Sequence, residues 1–227
     1  MKLPKAITFD TYGTLIDWEG EIARFFAELL ANKGVIDIEP RTMQRRWEII
    51  QFGYIQERYR PYTQVLHDTM LMTGEEFGVR FSEAEADSFA ASMGTWRAFD
   101  DVQLWIPELR KLTKAVLLTN TDNAIIAQSV KLMNVEFDDI VTAEMAGCYK
   151  PAYGGFHLAR QRLGLEIGEI MHAGFGFKYD VEPAHALGYE TCWINRQGEP
   201  RPSDVQETYM VGDLRTLVYM LKGMESY

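Results

Sequence analysis

The stretch Ala6-Ile7-Thr8-Phe9-Asp10-Thr11-Tyr12-Gly13-Thr14 places an acidic residue between a short apolar run and a glycine turn. The apolar run predicts a buried strand that carries Asp10 at its carboxyl end. A carboxylate at this position can approach a substrate closely, because Gly13 permits a tight turn that surrounds the reacting centre with backbone N–H groups. An aspartate that only caps a turn is the alternative, but a lysine and an aspartate later in the chain favour catalysis.

Strands and helices alternate through the second half of the chain. Strands are predicted at 115–118, 140–142, 170–173 and 191–194, and helices at about 124–132, 155–163 and 181–187. This alternation predicts an α/β fold, a Rossmann-like doubly wound parallel sheet with helices on both faces. Ligands of such sheets bind at the carboxyl ends of the strands. One crevice could therefore hold the polar residues that follow these strands, namely Asp10, Thr119, Asn120, Lys150 and Asp180.

Residues 16–98 interrupt the alternation, since they show amphipathic helices and no convincing strand. We expect this segment to form a helical-bundle cap domain, inserted into a core domain made of residues 1–15 and 99–227. An apolar stripe at 100° per residue runs along one predicted cap helix and comprises Met43, Trp47, Ile50 and Tyr54.

The bulk composition is typical of a soluble globular protein rather than of a nucleic-acid-binding or membrane protein. The 227 residues are 47% apolar and carry a net charge of −10, which argues against binding to phosphate backbones. No apolar run approaches the length of a transmembrane helix. Cys148 and Cys192 form no CxxC pair, so a cytoplasmic location is expected.

Several motifs resemble the haloacid dehalogenase superfamily of hydrolases, and within it the 2-haloacid dehalogenase (type II) branch. The resemblance covers nearly the whole chain. It rests on residues 9–15, 118–120, 149–151, Asp180 with Ala184 and Gly188, and 192–196.

The resemblance implies a role for each charged or polar residue of these motifs. Asp10 would be the nucleophile, and Thr14 would orient it. Thr119 would bind the substrate carboxylate. Lys150 would hold the carboxylates in place, and Asp180 would pair with Lys150 near the hydrolytic water. Asp10 would displace a halide to form an ester, which water would then cleave at the aspartyl carbonyl carbon.

Two of these residues have simpler interpretations. Lys150 before Pro151 could be a solvated loop cation ahead of a helix. Asp180 could cap a helix, which would be compatible with a catalytic role as well.

Position 12 distinguishes the branches of the superfamily. Phosphatases of this superfamily carry a second aspartate there as general acid, whereas this chain has Tyr12, which is expected in the substrate site. They also carry a second acid shortly before the last aspartate, to hold Mg²⁺, and residues 174–179 offer none. We therefore expect neither a metal nor a cofactor. Gly212-Asp213 resembles a phosphatase pair but lies too near the C-terminus, so Asp213 is predicted to cap a helix.

A dehalogenase must also receive the leaving halide. The resemblance implies an arginine from the cap, together with Asn120 and Tyr179. Arg46 is the predicted arginine because it flanks the apolar stripe of its helix, with Arg58 and Arg60 in reserve. Tyr62 and Trp47 are predicted pocket walls, although aromatic residues at such spacing often belong to the core.

The loop before Asp180 departs from the family pattern. Members usually carry a polar Ser, Asn or Gln there, whereas this chain has Phe175, Gly176, Phe177 and Lys178. Phe156 stands where dehalogenases often have tyrosine.

The expected partners are a small anionic substrate, a 2-haloacid, and halide, with no nucleic acid and no membrane; a homodimer is possible. The competing functions are a hydrolase of the same fold acting on another small anionic metabolite, as a phosphatase or esterase, and a non-catalytic anion-binding relative.

Overall fold

A six-stranded sheet forms the centre of residues 2–225, the part of the chain that this computed structural model describes. All neighbouring strands pair in parallel, in the order β3-β2-β1-β4-β5-β6. The strands are β1 (Ala6–Phe9), β2 (Lys114–Thr119), β3 (Asp139–Thr142), β4 (Ile170–Gly174), β5 (Glu190–Ile194) and β6 (Tyr209–Val211). The predicted Rossmann-like α/β fold is confirmed.

The strand order reverses beside β1. The chain passes outward from β1 through β2 and β3, and then crosses back to β4 on the other side of β1. Ligand crevices of open α/β sheets lie at the carboxyl ends of the strands beside such a reversal. The end of β1, where Asp10 follows, is therefore at the centre of the predicted crevice.

Ten α-helices accompany the sheet within the described residues. They are α1 (Trp18–Asn32), α2 (Pro40–Glu57), α3 (Tyr62–Glu76), α4 (Glu83–Ser92), α5 (Val102–Arg110), α6 (Asn123–Met133), α7 (Ala143–Ala146), α8 (Gly154–Leu163), α9 (Glu182–Ala186) and α10 (Leu214–Glu225). A π-helical turn, Phe177–Val181, precedes α9. Asp213 caps α10 by accepting a hydrogen bond from the N–H of Thr216 (2.7 Å), as predicted. None of the described helices combines the length and the apolar character needed to cross a membrane.

Helices α1–α4 lie between β1 and α5 along the chain. The chain enters and leaves this helical region side by side, since Ile16 and Ala98 form an antiparallel bridge. This bridge supports our proposal that residues 16–98 form a separate cap domain. The outer ends of the proposed core, residues 1 and 226–227, lie outside the described residues.

A core aspartate fastens the start of α3. Asp122, which lies between β2 and α6, accepts hydrogen bonds from the N–H groups of Tyr62 (2.7 Å) and Thr63 (3.0 Å). A carboxylate at a helix N-terminus satisfies free N–H groups and interacts favourably with the helix dipole. The helical region is thus held to the core both at the Ile16–Ala98 bridge and at Asp122.

Aromatic packing stabilises the helical region. Trp47 is fully buried, packs edge-on against Trp18 and Phe89, and donates its indole N–H to the hydroxyl of Thr69 (3.0 Å). Such rings bury large areas and prefer edge-to-face contacts. Trp47 therefore belongs to the core of the helical region.

Replacing Trp47 by alanine should lower the free energy of unfolding by about 3–5 kcal/mol, because the change leaves a large cavity. Urea denaturation followed by circular dichroism measures this effect. Arg45→Ala is the control: its side chain is 65% exposed on the same helix, and the change should stay within about 0.5 kcal/mol. A loss at Trp47 no larger than the loss at Arg45 would contradict this packing.

Candidate active site

One buried ammonium group joins two carboxylates at the carboxyl end of the sheet. The Nζ of Lys150 lies 2.9 Å from Oδ1 of Asp10 and 2.6 Å from Oδ1 of Asp180. The side chains of Lys150 and Asp180 are 2% and 1% exposed, and that of Asp10 is 12% exposed. The interpretation of Lys150 as a solvated loop cation was wrong. Asp10 is the member of this trio that a substrate can reach most easily.

Hydrogen bonds fix the orientation of the Asp10 carboxylate. The hydroxyl of Thr14 donates to Oδ2 of Asp10 (2.7 Å), and the N–H of Phe175 donates to the same hydroxyl oxygen (2.8 Å). Thr14 thus joins the loop after β1 to the loop after β4. Its contact with Asp10 is the one predicted from the sequence.

Two glycines allow these loops to approach each other. Gly13 has a φ of +100°, and a Cβ there would lie 2.7 Å from the ring of Phe175. A Cβ on Gly174 would lie 2.6 Å from the carboxyl carbon of Asp180. Side chains at these positions would separate the loops that hold Asp10 and Asp180.

Asn120 sets the position of Lys150. Its side-chain carbonyl accepts from the N–H of Lys150 (2.7 Å), and its amide nitrogen donates to the carbonyl of Lys150 (3.0 Å). The two bonds hold the backbone of Lys150 on both sides. Asn120 therefore positions the lysine, in addition to lining the cavity described below.

Burial and charge act in opposite directions on the trio. Burial alone would raise the pKa of Asp180, but Lys150 and a hydrogen bond from His172 lower it below its ordinary value. Burial and the Asp180 charge raise the pKa of Asp10 despite the opposing effect of Lys150. Burial alone would lower the pKa of Lys150, whereas the two carboxylates raise it, so the lysine is held as a cation.

His172 is a member of this network that the sequence reasoning missed. Its Nε2 lies 3.1 Å from Oδ1 of Asp180, and its Nδ1 lies 2.8 Å from the hydroxyl of Thr8. The ring is 1% exposed within β4. A single histidine inside an otherwise apolar strand was the available signal, since buried polar groups need partners.

A cavity of about 380 Å³ opens above Asp10. This volume suits a small molecule. The helical region contributes Trp18, Glu19, Glu48, Gln51, Tyr62 and Met93, and the loop before α9 contributes Phe175, Gly176, Phe177, Lys178 and Tyr179.

Several predicted substrate residues do line this cavity. They are Tyr12, Tyr62, Asn120 and Tyr179. Thr119 lies at the end of β2 and is buried, and its hydroxyl has no hydrogen-bond partner among the described residues. A buried hydroxyl without a partner is unusual in a protein and is consistent with a ligand contact.

The structure places Arg46 and Trp47 away from the cavity, whereas the sequence predicted that both would contribute to the substrate site. Arg46 lies outside the cavity, half-exposed, and pairs with Glu76 of α3. The sequence placed it beside the apolar stripe, but that edge of α2 faces α3 and solvent. Trp47 lies in the core, as described above, and does not line the cavity.

The arginines held in reserve do not line the cavity either. Arg60 donates to the carbonyl of Tyr54 and to Glu57, and Arg58 directly follows α2. Among the described residues that line the cavity, the cations are Lys150 and Lys178. In the sequence, Lys178 departs from the pattern that the resemblance implies, and this was the available signal for its place at the cavity.

Lys178 connects the core to α2. Its Nζ lies 3.3 Å from Oε1 of Glu48, 4.3 Å from the centre of the Phe52 ring and 5.0 Å from that of the Tyr179 ring. Cations over aromatic faces are stabilised by the ring quadrupole. The ammonium group is thus held at the edge of the cavity.

The donor set does not fit a divalent cation. Magnesium requires several oxygen ligands in octahedral geometry. Here Asp10 and Asp180 both accept from Lys150, and Tyr12 and Gly176 supply no carboxylate. In residues 2–225, no group of three or more His, Cys, Asp or Glu side chains could hold a metal ion.

The parallel sheet, with the Lys150 trio at its carboxyl edge, defines an α/β protein with a charged site where such sheets bind ligands. Residues 4–188 match the family of haloacid dehalogenase-like hydrolases, and the chain belongs to that family.

The relatives of the chain include dehalogenases and phosphatases. It is 27% identical to an (S)-2-haloacid dehalogenase of Pseudomonas sp. strain YL over 197 residues, which is 86% of this chain and 84% of the relative. It is 26% identical to N-acylneuraminate-9-phosphatase of Mus musculus over 239 aligned positions, covering 97% and 95% of the two proteins. A solved L-2-haloacid dehalogenase has the same fold, with a TM-score of 0.85 and 22% identity over 98% of this chain and all of that one.

Thr14→Val should raise the pKa of Asp10. The Thr14 hydroxyl stabilises the charged carboxylate, so its loss favours the protonated form and moves the titration to higher pH. A ¹³C NMR titration of labelled aspartate carboxyls measures the shift, with Asp10 assigned through Asp10→Asn. In the wild type the pKa of Asp10 should already lie above the ordinary value of an aspartate, and a lower pKa in Thr14→Val would contradict the assigned bond.

Proposed function

We propose that this protein removes halide hydrolytically from a small 2-haloalkanoic acid and gives the 2-hydroxy acid through an aspartyl-ester intermediate on Asp10. The proposal rests on one observation: the side chain of Tyr12, near the nucleophile, cannot readily protonate a leaving group. The hydroxyl of Tyr12 forms a hydrogen bond with the hydroxyl of Ser129 (2.8 Å), and burial raises the pKa of Tyr12 above its ordinary value. A halide leaves as a stable anion without a proton, whereas an alcohol needs a general acid.

In the first step, a carboxylate oxygen of Asp10 attacks C2 of the substrate from the side opposite the halogen. The new C–O bond forms as the carbon–halogen bond breaks, and the halide takes the bonding electrons. Thr14 and Lys150 hold the carboxylate in one orientation for this attack. The attack inverts the configuration at C2.

Two buried donors without partners in residues 2–225, of which one lines the cavity, support binding of the substrate carboxylate. The hydroxyl of Thr119 and the indole N–H of Trp18 are buried and lack hydrogen-bond partners among the described residues. Trp18 lines the cavity. These donors are suited to an anion, because a charged acceptor strengthens each bond.

The helical side of the cavity offers a donor for the departing halide. Tyr179 donates to the side-chain oxygen Oε1 of Gln51 (3.3 Å), and the side-chain Nε2 of Gln51 donates to the hydroxyl oxygen of Tyr62 (3.2 Å). This chain of bonds leaves the proton of Tyr62 available to a ligand. Burial raises the pKa of Tyr62, so it stays protonated. Lys178 adds a positive charge at the cavity edge, in the role for which an arginine was expected.

In the second step, water attacks the carbonyl carbon of the Asp10 ester. Asp180, which is held ionised, accepts a proton from this water. The bond between the Asp10 carbonyl carbon and the ester oxygen then breaks, and the alkoxide of the departing 2-hydroxy acid takes the proton back from Asp180. Asp10 is left as a carboxylic acid and returns to the carboxylate by losing one proton to solvent.

Halide release from a panel of 2-haloacids tests the function, alongside phosphate release from a panel of phosphomonoesters with Mg²⁺. We expect halide release that EDTA does not inhibit and that Asp10→Asn abolishes. Phosphate release that depends on Mg²⁺, without halide release, would favour the phosphatase relatives. Turnover of neither panel would contradict both.

A single turnover in H₂¹⁸O should place one ¹⁸O atom in the Asp10 carboxyl and none in the product, because the product oxygen comes from the aspartate. Mass spectrometry of the peptide that contains Asp10 measures the label. Direct attack by water on C2 would instead label the product and leave Asp10 unlabelled.

Lys178→Met and Tyr62→Phe should each lower kcat more than they raise KM, since both groups act where charge develops on the leaving halide. Loss of one such donor costs on the order of 10²–10³ in rate at its largest. Arg46→Met is the matched control, because it removes one positive charge from outside the cavity and should leave kcat nearly unchanged. Equal small effects of Lys178→Met and Arg46→Met would remove Lys178 from the site.

A further inference from the structure

We propose that His172 is a positioning residue, which holds Asp180 so that one of its carboxylate oxygens faces the hydrolytic water. This inference rests on the proposed function, since it concerns the second step of that reaction. His172 replaces, from inside the sheet, the polar side chains that the loop before Asp180 lacks.

The two oxygens of Asp180 have different surroundings. Oδ1 accepts from Lys150 at 2.6 Å and from His172 at 3.1 Å. Among residues 2–225, the hydrogen bond to Oδ2 comes from the backbone N–H of Gly176 and is longer, at 3.2 Å. Oδ1 is therefore occupied by two donors, and Oδ2 retains a lone pair that can accept a proton from water.

Thr8 sets the tautomer of His172. If the hydroxyl of Thr8 donates to Nδ1, the ring carries its proton on Nε2 and donates it to Asp180. The competing acceptor for that hydroxyl, the carbonyl of Met171, lies farther away at 3.4 Å. Because the hydrogen bond from Thr8 fixes Nδ1, the ring of His172 has one orientation. The Nε2–H group then holds the Asp180 carboxylate in one orientation as well.

The side chains of the loop that leads to Asp180 do not hold the carboxylate of Asp180. Phe175 and Phe177 have no polar atoms in their side chains, Gly176 has no side chain, and the ammonium of Lys178 pairs with Glu48 of α2. Among the described residues, the fully charged side chain that contacts Asp180 is Lys150, which also contacts Asp10. Without His172, Lys150 would be the remaining side-chain donor to Asp180 among the described residues, and only the longer bond from the Gly176 N–H would oppose rotation of the carboxylate.

His172→Leu should therefore slow ester hydrolysis more than ester formation. The covalent ester would accumulate, so kcat and KM would fall together, and a burst of halide would precede slow turnover. The expected loss in kcat is roughly 10–100-fold, the range seen when an orienting group is removed from a metal site. A purely structural defect would lower both steps and would give no burst.

Three further variants make the test sharp. His172→Gln keeps an amide N–H near the position of Nε2 and should restore most of the hydrolysis rate. His172→Asn can still reach Thr8 but is too short to reach Asp180, so it should behave like His172→Leu. His157→Leu is the control, because His157 is an exposed residue of α8, and it should match the wild type.

Rapid-quench halide assays and mass spectrometry of the intact protein measure the burst and the ester. A second readout needs no substrate: in a ¹³C carboxyl titration, the pKa of Asp180 should be higher in His172→Leu and His172→Asn than in the wild type and His172→Gln.

Unchanged Asp180 titration, or absence of ester accumulation in a folded His172→Leu protein that releases halide, would overturn the inference. If the wild type releases no halide from any 2-haloacid, the proposed function fails. In that case the titration still decides whether His172 controls the Asp180 carboxylate.

Discussion

The ion contact of Lys150 with Asp10 and Asp180 is the interaction on which the rest of the site depends. Two buried carboxylates repel each other, and burial alone would protonate them. The ammonium group offsets this repulsion, yet removal of one partner from such a buried cluster leaves an uncompensated charge. The hydrogen bonds of Asn120 and Thr14 hold the groups of this contact in place. Gly13 and Gly174 let the loops that carry Asp10 and Asp180 come close enough to form it.

Much of the core site could be predicted from the sequence because its residues follow strands. Carboxyl ends of parallel strands meet at one edge, so the order of motifs along the chain already places Asp10, Lys150 and Asp180 together. The contact of Thr14 with Asp10 is equally local, since it lies within one turn. β6 was missed because it is a three-residue edge strand with one exposed residue.

The helical side of the cavity could not be predicted to the same degree. Helical phase places a residue on one side of its own helix, but the neighbour on that side depends on tertiary packing. Arg46 was expected at the halide and instead pairs with Glu76, whereas Trp47 belongs to the core. His172 was missed for a related reason, because its partner, Asp180, reaches it only through the π-helical turn before α9.

Asp122 holds the start of α3 against the core, and with it the part of the cavity wall that Tyr62 forms. Tyr62 is the first residue of α3, so the proposed halide donor is held in place by the core rather than by its own helical region. The exposed residues at the cavity edge, Glu199 and Pro202, lie on the core loop between β5 and β6. The solvent-exposed part of the cavity edge therefore lies on this loop, whereas Asp122 holds the start of α3 to the core. Changes in this loop would then alter the rates of entry and exit without disturbing the reacting groups.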